Sequence, residues 1–148
     1  MEKLILSCTN LQKLKDALNN FEGSDLKKTA TKLVFSYGCS KSNIMFVGEA
    51  PGADEDRSGK PLVGSSGQLF DRMLKAINLS RDNVYIANVI PWRPPGNRNP
   101  TEEEIKVLLP FLIRHIELIN PSILVAVGGM AAKTLMKISG GILRHRGV

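Results

Sequence analysis

With 148 residues, 43% of them hydrophobic and 23% charged, the chain is long enough for one domain with a buried core and has a soluble globular composition. No apolar stretch approaches membrane-spanning length, and Met-Glu-Lys is followed by only Leu-Ile-Leu before polar residues resume, which argues against a membrane or secreted protein and for a cytoplasmic one. The net charge of +6 permits a polyanionic partner without requiring one, and it is unevenly spread: residues 1–42 carry net +3, 43–104 net −2 and 105–148 net +5.

In chain order, Leu11, Leu14, Leu18 and Phe21 recur at helical spacing, with Thr9 or Asn10 as cap and Gly23 as stop, inside a helical segment over residues 1–30. Thr31 to Tyr37 alternates weakly and reads as an edge strand or extended arm. Residues 43–48 form a short buried strand that stops at Gly48, before the turn residues Pro51 and Gly52. Four acids (Glu49, Asp54, Glu55, Asp56) follow within eight positions. Gly64-Ser65-Ser66-Gly67 then leads into a helix over 68–77, with Leu69, Met73, Leu74 and Ile77 on one face. Ser65 or Ser66 is its cap, and the backbone N–H groups there could receive a phosphate. A second buried strand, 83–90, runs into a loop stiffened by prolines. Thr101 and Glu104 make a capping box for a helix carrying Ile105, Leu108, Leu109, Leu112, Ile116 and Ile119. An aliphatic strand over 122–128 and a helix over 130–137 complete the order. The β-α-β-α-β-α alternation predicts an α/β protein, a three-layer αβα sandwich around a parallel sheet covered on both faces.

Chemistry in such a sheet gathers at the strand ends. The first end presents Glu49, with Asp54 and Glu55 behind it. The second presents Asn88 inside an apolar strand, where a buried amide needs partners. Its one acceptor and two donors match a pyrimidine edge showing a carbonyl beside an N–H; pinning a neighbouring loop is the commoner use of a lone Asn. Trp92 either stacks on a base or packs under its loop, and packing is favoured. Arg93 and Arg98 can meet phosphate, or Glu102 and Glu103. Neither His115 nor His145 has the context of a catalytic base. Cys8 and Cys39 have no metal-site spacing.

Four linked stretches, Gly-Glu-Ala-Pro-Gly-Ala-Asp-Glu-Asp (48–56), Gly-Lys-Pro-Leu-Val-Gly (59–64), Val-Tyr-Ile-Ala-Asn-Val (84–89) and Arg-Pro-Pro-Gly-Asn-Arg (93–98), resemble the uracil-DNA glycosylase superfamily, most closely its family 4; Gly-Gly-Met-Ala-Ala-Lys-Thr-Leu (128–135) also fits. The resemblance implies a four-stranded parallel sheet and hydrolysis of the N-glycosidic bond of deoxyuridine in DNA, with the target base flipped from the stack. It implies that Glu49 or Glu55 orients the attacking water. Ala50, Gly52, Leu62 and Asn88 would hold uracil, and Ser65, Ser66, Arg93 and Arg98 would meet DNA.

Three departures from the family accompany this likeness. Leu62 stands where a base-stacking Phe is usual. The family's four-iron, four-sulfur cluster has no cysteines to hold it, since the two later ones fall at Trp92 and Leu108 and the early pair is not reproduced by Cys8 or Cys39; no cofactor or metal is expected. The His-Pro-Ser motif is missing, and the chain stops at Arg146-Gly147-Val148, as a single domain that is C-terminally shortened by its last strand would. A catalytically inactive DNA-binding module on the same scaffold is the rival reading. A nucleotide-binding domain using Gly64–Gly67 is weaker, because neither Gly-Lys-Ser/Thr nor Gly-x-Gly-x-x-Gly is present.

Overall fold

The structure, a computed structural model, describes residues 2–138, the side chains of Glu2 and Ser66 excepted. The basic Arg144-His145-Arg146 run and the Arg-Gly-Val end lie outside the described residues, and with them the question of shortening.

The N-terminal segment is helical as expected, in three pieces: α1 (Glu2–Leu6), α2 (Leu11–Asn20) and α3 (Leu26–Thr29). Of the two possible caps on α2, Asn10 serves, its side-chain oxygen accepting from the Lys13 N–H at 2.9 Å. The helix ends at Phe21, ahead of Gly23. Residues 31–36 then run as an extended arm, pinned by the Val34 N–H on the Pro91 carbonyl at 2.8 Å, into the two-residue strand β1 (Tyr37–Gly38).

The alternating part follows as β2 (Ile44–Gly48), α4 (Ala53–Ser58), α5 (Ser65–Ala76), β3 (Tyr85–Asn88), α6 (Glu102–Ile119), β4 (Ile123–Ala126) and α7 (Gly129–Ile138). The sheet order is β1-β3-β2-β4. Strand β2 pairs parallel with both β3 and β4, whereas β1 pairs antiparallel with β3. The four strands are therefore three parallel ones plus an antiparallel edge supplied by the N-terminal arm. The β2 pleat sends Met45 and Val47 into the larger core, with Tyr85, Ala87 and the apolar faces of α2 and α6. Its alternate residues, Ile44 and Phe46, meet a second cluster built on Phe70, Leu74, Val84 and Ile86. Helices thus cover both faces of the sheet.

Two sequence expectations need correction. Helix α5 starts three residues earlier than its periodicity indicates and seats Phe70 and Leu74 on the sheet, with Phe70 edge-on to Phe46 at 4.9 Å. Leu69, Met73 and Ile77 are about 60% exposed (59%, 60% and 62%). The second is β4, expected as an aliphatic strand over 122–128 and formed over the shorter Ile123–Ala126. Among the described residues it lies at the sheet edge, with Ile123 53% exposed. Its aliphatic composition suits a strand paired on both sides, and here it is paired on one.

Candidate active site

The register of β2 and β3 sets the site. Gly48 faces Asn88 across the parallel pair, and pairing continues past both strands through Val89 N–H to Gly48 O (2.8 Å) and Ile90 N–H to Glu49 O (3.0 Å). A β-carbon at position 48 would sit 2.5 Å from Asn88 Oδ1, so glycine is what leaves room for the amide. Asn88 is 9% exposed, and its side-chain amide has no hydrogen-bond partner among the described residues. It opens into a cleft of about 430 Å³ lined also by Ala50, Gly52, Glu55, Leu62 and Ser65. One cleft thus gathers six of the residues singled out from the sequence. Glu49 and Arg98 line a smaller neighbour of about 110 Å³, which shares Ala50, Gly52 and Asn97 with the first. A larger groove of about 470 Å³ lies between α6 and α7, floored by Ile105, Leu109 and Met130. Glu102, Lys106, Lys133 and Lys137 stand along it, and it holds none of the residues singled out for reading a base or orienting water.

The two candidate carboxylates have different surroundings. Glu55 is the third residue of α4 and closes a capping arrangement by accepting from the Gly52 N–H at 2.8 Å. Its other oxygen accepts from Val63 N–H and Gly64 N–H, each at 2.9 Å. Burial pushes its pKa up, but the backbone N–H groups of Gly64, Val63 and Gly52 outweigh that and hold it below the ordinary carboxylate value. Both oxygens are occupied, and the residue ties the turn before α4 to the turn before α5. Glu49, half-buried at the end of β2, has one contact of this kind, Oε1 with the Met130 N–H in the first turn of α7 at 3.3 Å. Gly128, at φ +104°, precedes that helix, and a β-carbon there would lie 2.9 Å from the same oxygen.

Leu62 lines the cleft with a left-handed backbone (φ +52°), a costly conformation for a branched side chain. The cap of α5 is Gly64; Ser65 is its first residue and exposed, and Ser66 lies in the same turn. The cap thus lies one residue before the expected Ser65, at the glycine whose N–H Glu55 holds. The arginines are engaged within the protein. Arg93 Nε donates to Asn97 Oδ1 at 2.7 Å. Arg98 makes a two-pronged pair with Glu104 (2.8 and 2.9 Å), whereas the sequence reading offered Glu102 and Glu103. Trp92 is 2% exposed and packs in the main core.

Three residues have parts at or around the site that the sequence reading did not assign them. Asn97 lines both clefts at φ +57°, and the Gly-Asn pair is its turn signal. Asp56 is buried and accepts from Thr31 N–H (2.8 Å) and Lys32 N–H (3.0 Å), tying the N-terminal arm to α4. Nothing in the sequence separates it from Asp54, which is exposed and paired with Arg57. Arg81 bridges to the Leu62 loop from the far end of α5.

A four-iron, four-sulfur cluster does not fit these residues. Trp92 and Leu108 are apolar and sealed in the core (2% and 1% exposed), Cys8 gives its thiol to the Leu4 carbonyl at 3.3 Å, and Cys39 is exposed. Among the described residues no group of three or more His, Cys, Asp or Glu could hold a metal ion. Nor is any described helix long and apolar enough to cross a membrane.

Comparison with known proteins adds the following. The family model of the uracil DNA glycosylase superfamily matches residues 35–147. A type-4 uracil-DNA glycosylase of Archaeoglobus fulgidus is 46% identical over 114 residues, which cover 77% of this chain and 57% of the relative. One of Pyrobaculum aerophilum is 41% identical over 131 residues, 88% of this chain and 67% of the relative. A DNA polymerase of Bacillus phage SP01 is 32% identical over 123 residues, 82% of this chain but only 13% of that protein. The chain spans between about half and two-thirds of the length of the type-4 relatives it matches.

Proposed function

The chain belongs to the uracil DNA glycosylase superfamily, and from that premise we propose that it excises uracil from DNA by hydrolysing the bond between N1 of the base and C1′ of the sugar. The observation that carries this reading is the register of Gly48 against Asn88. It sets the Asn88 amide and the Glu49 carboxylate at neighbouring strand ends, Asn88 in the cleft with Ala50, Gly52 and Leu62 and Glu49 in the smaller one beside it, which supports a base-reading role for the first and a water-orienting role for the second.

In this reading the uracil is flipped into the cleft, where Asn88 pairs with its carbonyl and N–H edge and Leu62 covers its face with apolar surface. Glu49 is the water-orienting group, since Glu55 has both oxygens committed to backbone N–H groups. Water adds at C1′ and loses a proton to Glu49. The N1–C1′ bond breaks, and its electron pair leaves with the uracil as an anion. The protein's task is electrostatic: donors face the developing negative charge on the base, and a carboxylate faces the oxocarbenium-like sugar. Ser65, Ser66, Arg93 and Arg98 are the proposed DNA contacts, the two arginines exchanging Asn97 and Glu104 for phosphate. No cofactor takes part, and the setting is cytoplasmic. Iron analysis of the purified protein should be negative; a stoichiometric cluster would contradict the cofactor-free reading.

The test is excision from single-stranded and U:G duplex oligonucleotides at low salt, read as alkali-labile cleavage. Asn88→Ala should abolish excision and leave nonspecific DNA binding nearly intact. Equal loss of both would remove the base-reading role. The second reading, a DNA-binding module without catalysis, draws on the phage polymerase relative, in which a matching stretch is a small part of a larger protein. It requires salt-sensitive binding with no excision.

A further inference from the structure

The structure assigns to Arg81 a positioning role: it holds Leu62 in the left-handed conformation that keeps its side chain in the cleft. The inference rests on the glycosylase reading for its kinetic consequence, and on geometry alone for the clamp. Arg81 lies after α5, between the quoted motifs 59–64 and 84–89, and its guanidinium reaches back to the turn before that helix. Nη1 donates to the Pro61 carbonyl at 3.0 Å, and Nη2 donates to the Leu62 carbonyl and to the Gly67 carbonyl at 3.5 Å. Nε is fixed by Asp71 Oδ1 at 2.6 Å, and the group lies over the Phe70 ring at 5.6 Å. Only 17% of the side chain is exposed. Two carbonyls of the loop and one from the first turn of α5 thus meet one planar guanidinium, which fans five N–H donors.

This arrangement answers a physical problem at Leu62. A branched residue at φ +52° returns to extended backbone unless its neighbours over-determine it. Glu55 holds the N–H groups of Val63 and Gly64 just after it, and Arg81 holds the carbonyls of Pro61 and Leu62. The peptide on either side of Leu62 is therefore gripped, by an anion on its donors and a cation on its acceptors. Gly67 belongs to the same design. A β-carbon there would collide with the Leu62 carbonyl and lie 3.0 Å from Arg81 Nη2, so the close approach needs glycine. Arg81 does not itself line the cleft, and it acts on the base only through the backbone of the loop that carries Leu62.

The test reads hydrogen exchange and kinetics on the same variants. In Arg81→Ala the amides of residues 61–67 should exchange faster while those of β2 and β3 keep their protection; unchanged exchange would overturn the clamp, whatever the activity. On uracil-containing single strands KM should rise about tenfold with kcat changed less than about threefold, the pattern of lost ground-state binding. Arg81→Lys, which keeps the charge and loses the fork, should also raise KM. In a Leu62→Gly background, where φ +52° is unstrained and no side chain is left to place, Arg81→Ala should have little further effect on KM. An equal effect in both backgrounds, or faster exchange with KM unmoved, would reduce Arg81 to a structural residue. If Arg81→Ala does not fold, Asp71→Asn loosens the same guanidinium and should give the same changes in smaller degree; its failure to move either readout overturns the role. Should wild-type protein show no excision, the glycosylase reading fails by itself, and the exchange measurement still decides the clamp.

Discussion

Glu49 and Glu55 carry the same side chain six positions apart, and what each touches separates their work. Glu55 meets three backbone N–H groups at 2.8–2.9 Å, which lower its pKa against the opposing effect of burial. A carboxylate with a folded pKa below its ordinary 4.5 stabilises the fold fully above about pH 4.5, and that stabilisation is lost as pH falls through the depressed value. Glu55→Gln should cost about 1–3 kcal/mol at pH 7, the range for leaving buried hydrogen-bonding groups unsatisfied. The gap to wild type should narrow in urea denaturation near pH 3; a gap independent of pH would mean that the charge is not what binds those N–H groups. Glu49→Gln should leave the urea midpoint near wild type and slow excision by about a hundredfold or more, the scale of a lost general base. Wild-type excision by Glu49→Gln would return the water-orienting role to the rest of the cleft. The sequence brought both acids into view but could not sort them, because the sorting depends on which N–H groups the turns at 52 and 63–64 aim inward.

At the scale of elements, the capping box of α6 was legible. Thr101 Oγ1 accepts from Glu104 N–H at 3.1 Å, and Glu104 accepts from Thr101 N–H at 2.8 Å. Such a motif is local, so the sequence contains all of it. Helix α5 shows where local reading ends. Leu69, Met73 and Ile77 form as regular an apolar row as Phe70 and Leu74 do, and only the position of the sheet decides which row is buried. Leu74→Ala should cost about 2–5 kcal/mol by cavity formation. Met73→Ala should stay within about 0.5 kcal/mol, as a surface substitution does. Comparable losses in urea denaturation would show that the Met73 row is covered in solution. Helix α4 was missed for a related reason: Ala-Asp-Glu-Asp-Arg-Ser has no apolar row, and the helix is held instead through Glu55 at its start and the left-handed Gly59 at its end.

For the molecule as a whole, acid stability depends on a group that the site does not use. His115, midway along α6, sits in the main core, stacked on Phe35 at 4.5 Å, with its Nε2 2.6 Å from the Tyr85 hydroxyl. Burial pushes Tyr85 up to about 12, partly offset by its bond with Ser36, so a neutral hydroxyl shares one hydrogen bond with the imidazole, its direction set by the ring tautomer. Burial pushes His115 down to about 3 from its ordinary 6.5. Between those values the unfolded chain binds a proton at this residue and the folded one does not, so stability rises with pH there. It is whole above pH 6.5 and falls on acidification towards pH 3, by up to about 1.4 kcal/mol per pH unit. Carboxylates ordinarily change charge at lower pH, which makes the interval from pH 6.5 to 5 the one in which to look for the histidine. Wild-type urea midpoints should therefore fall across that interval. His115→Gln, neutral throughout and still able to hydrogen-bond Tyr85 in either direction, should be less stable at pH 7 because it gives up the stacking on Phe35. Its midpoint should nevertheless stay level from pH 6.5 to 5, so that the two proteins converge. A wild-type midpoint equally level over that range would mean that His115 reaches water before the fold opens. The core joining the N-terminal arm to α6 would then be looser than its packing indicates.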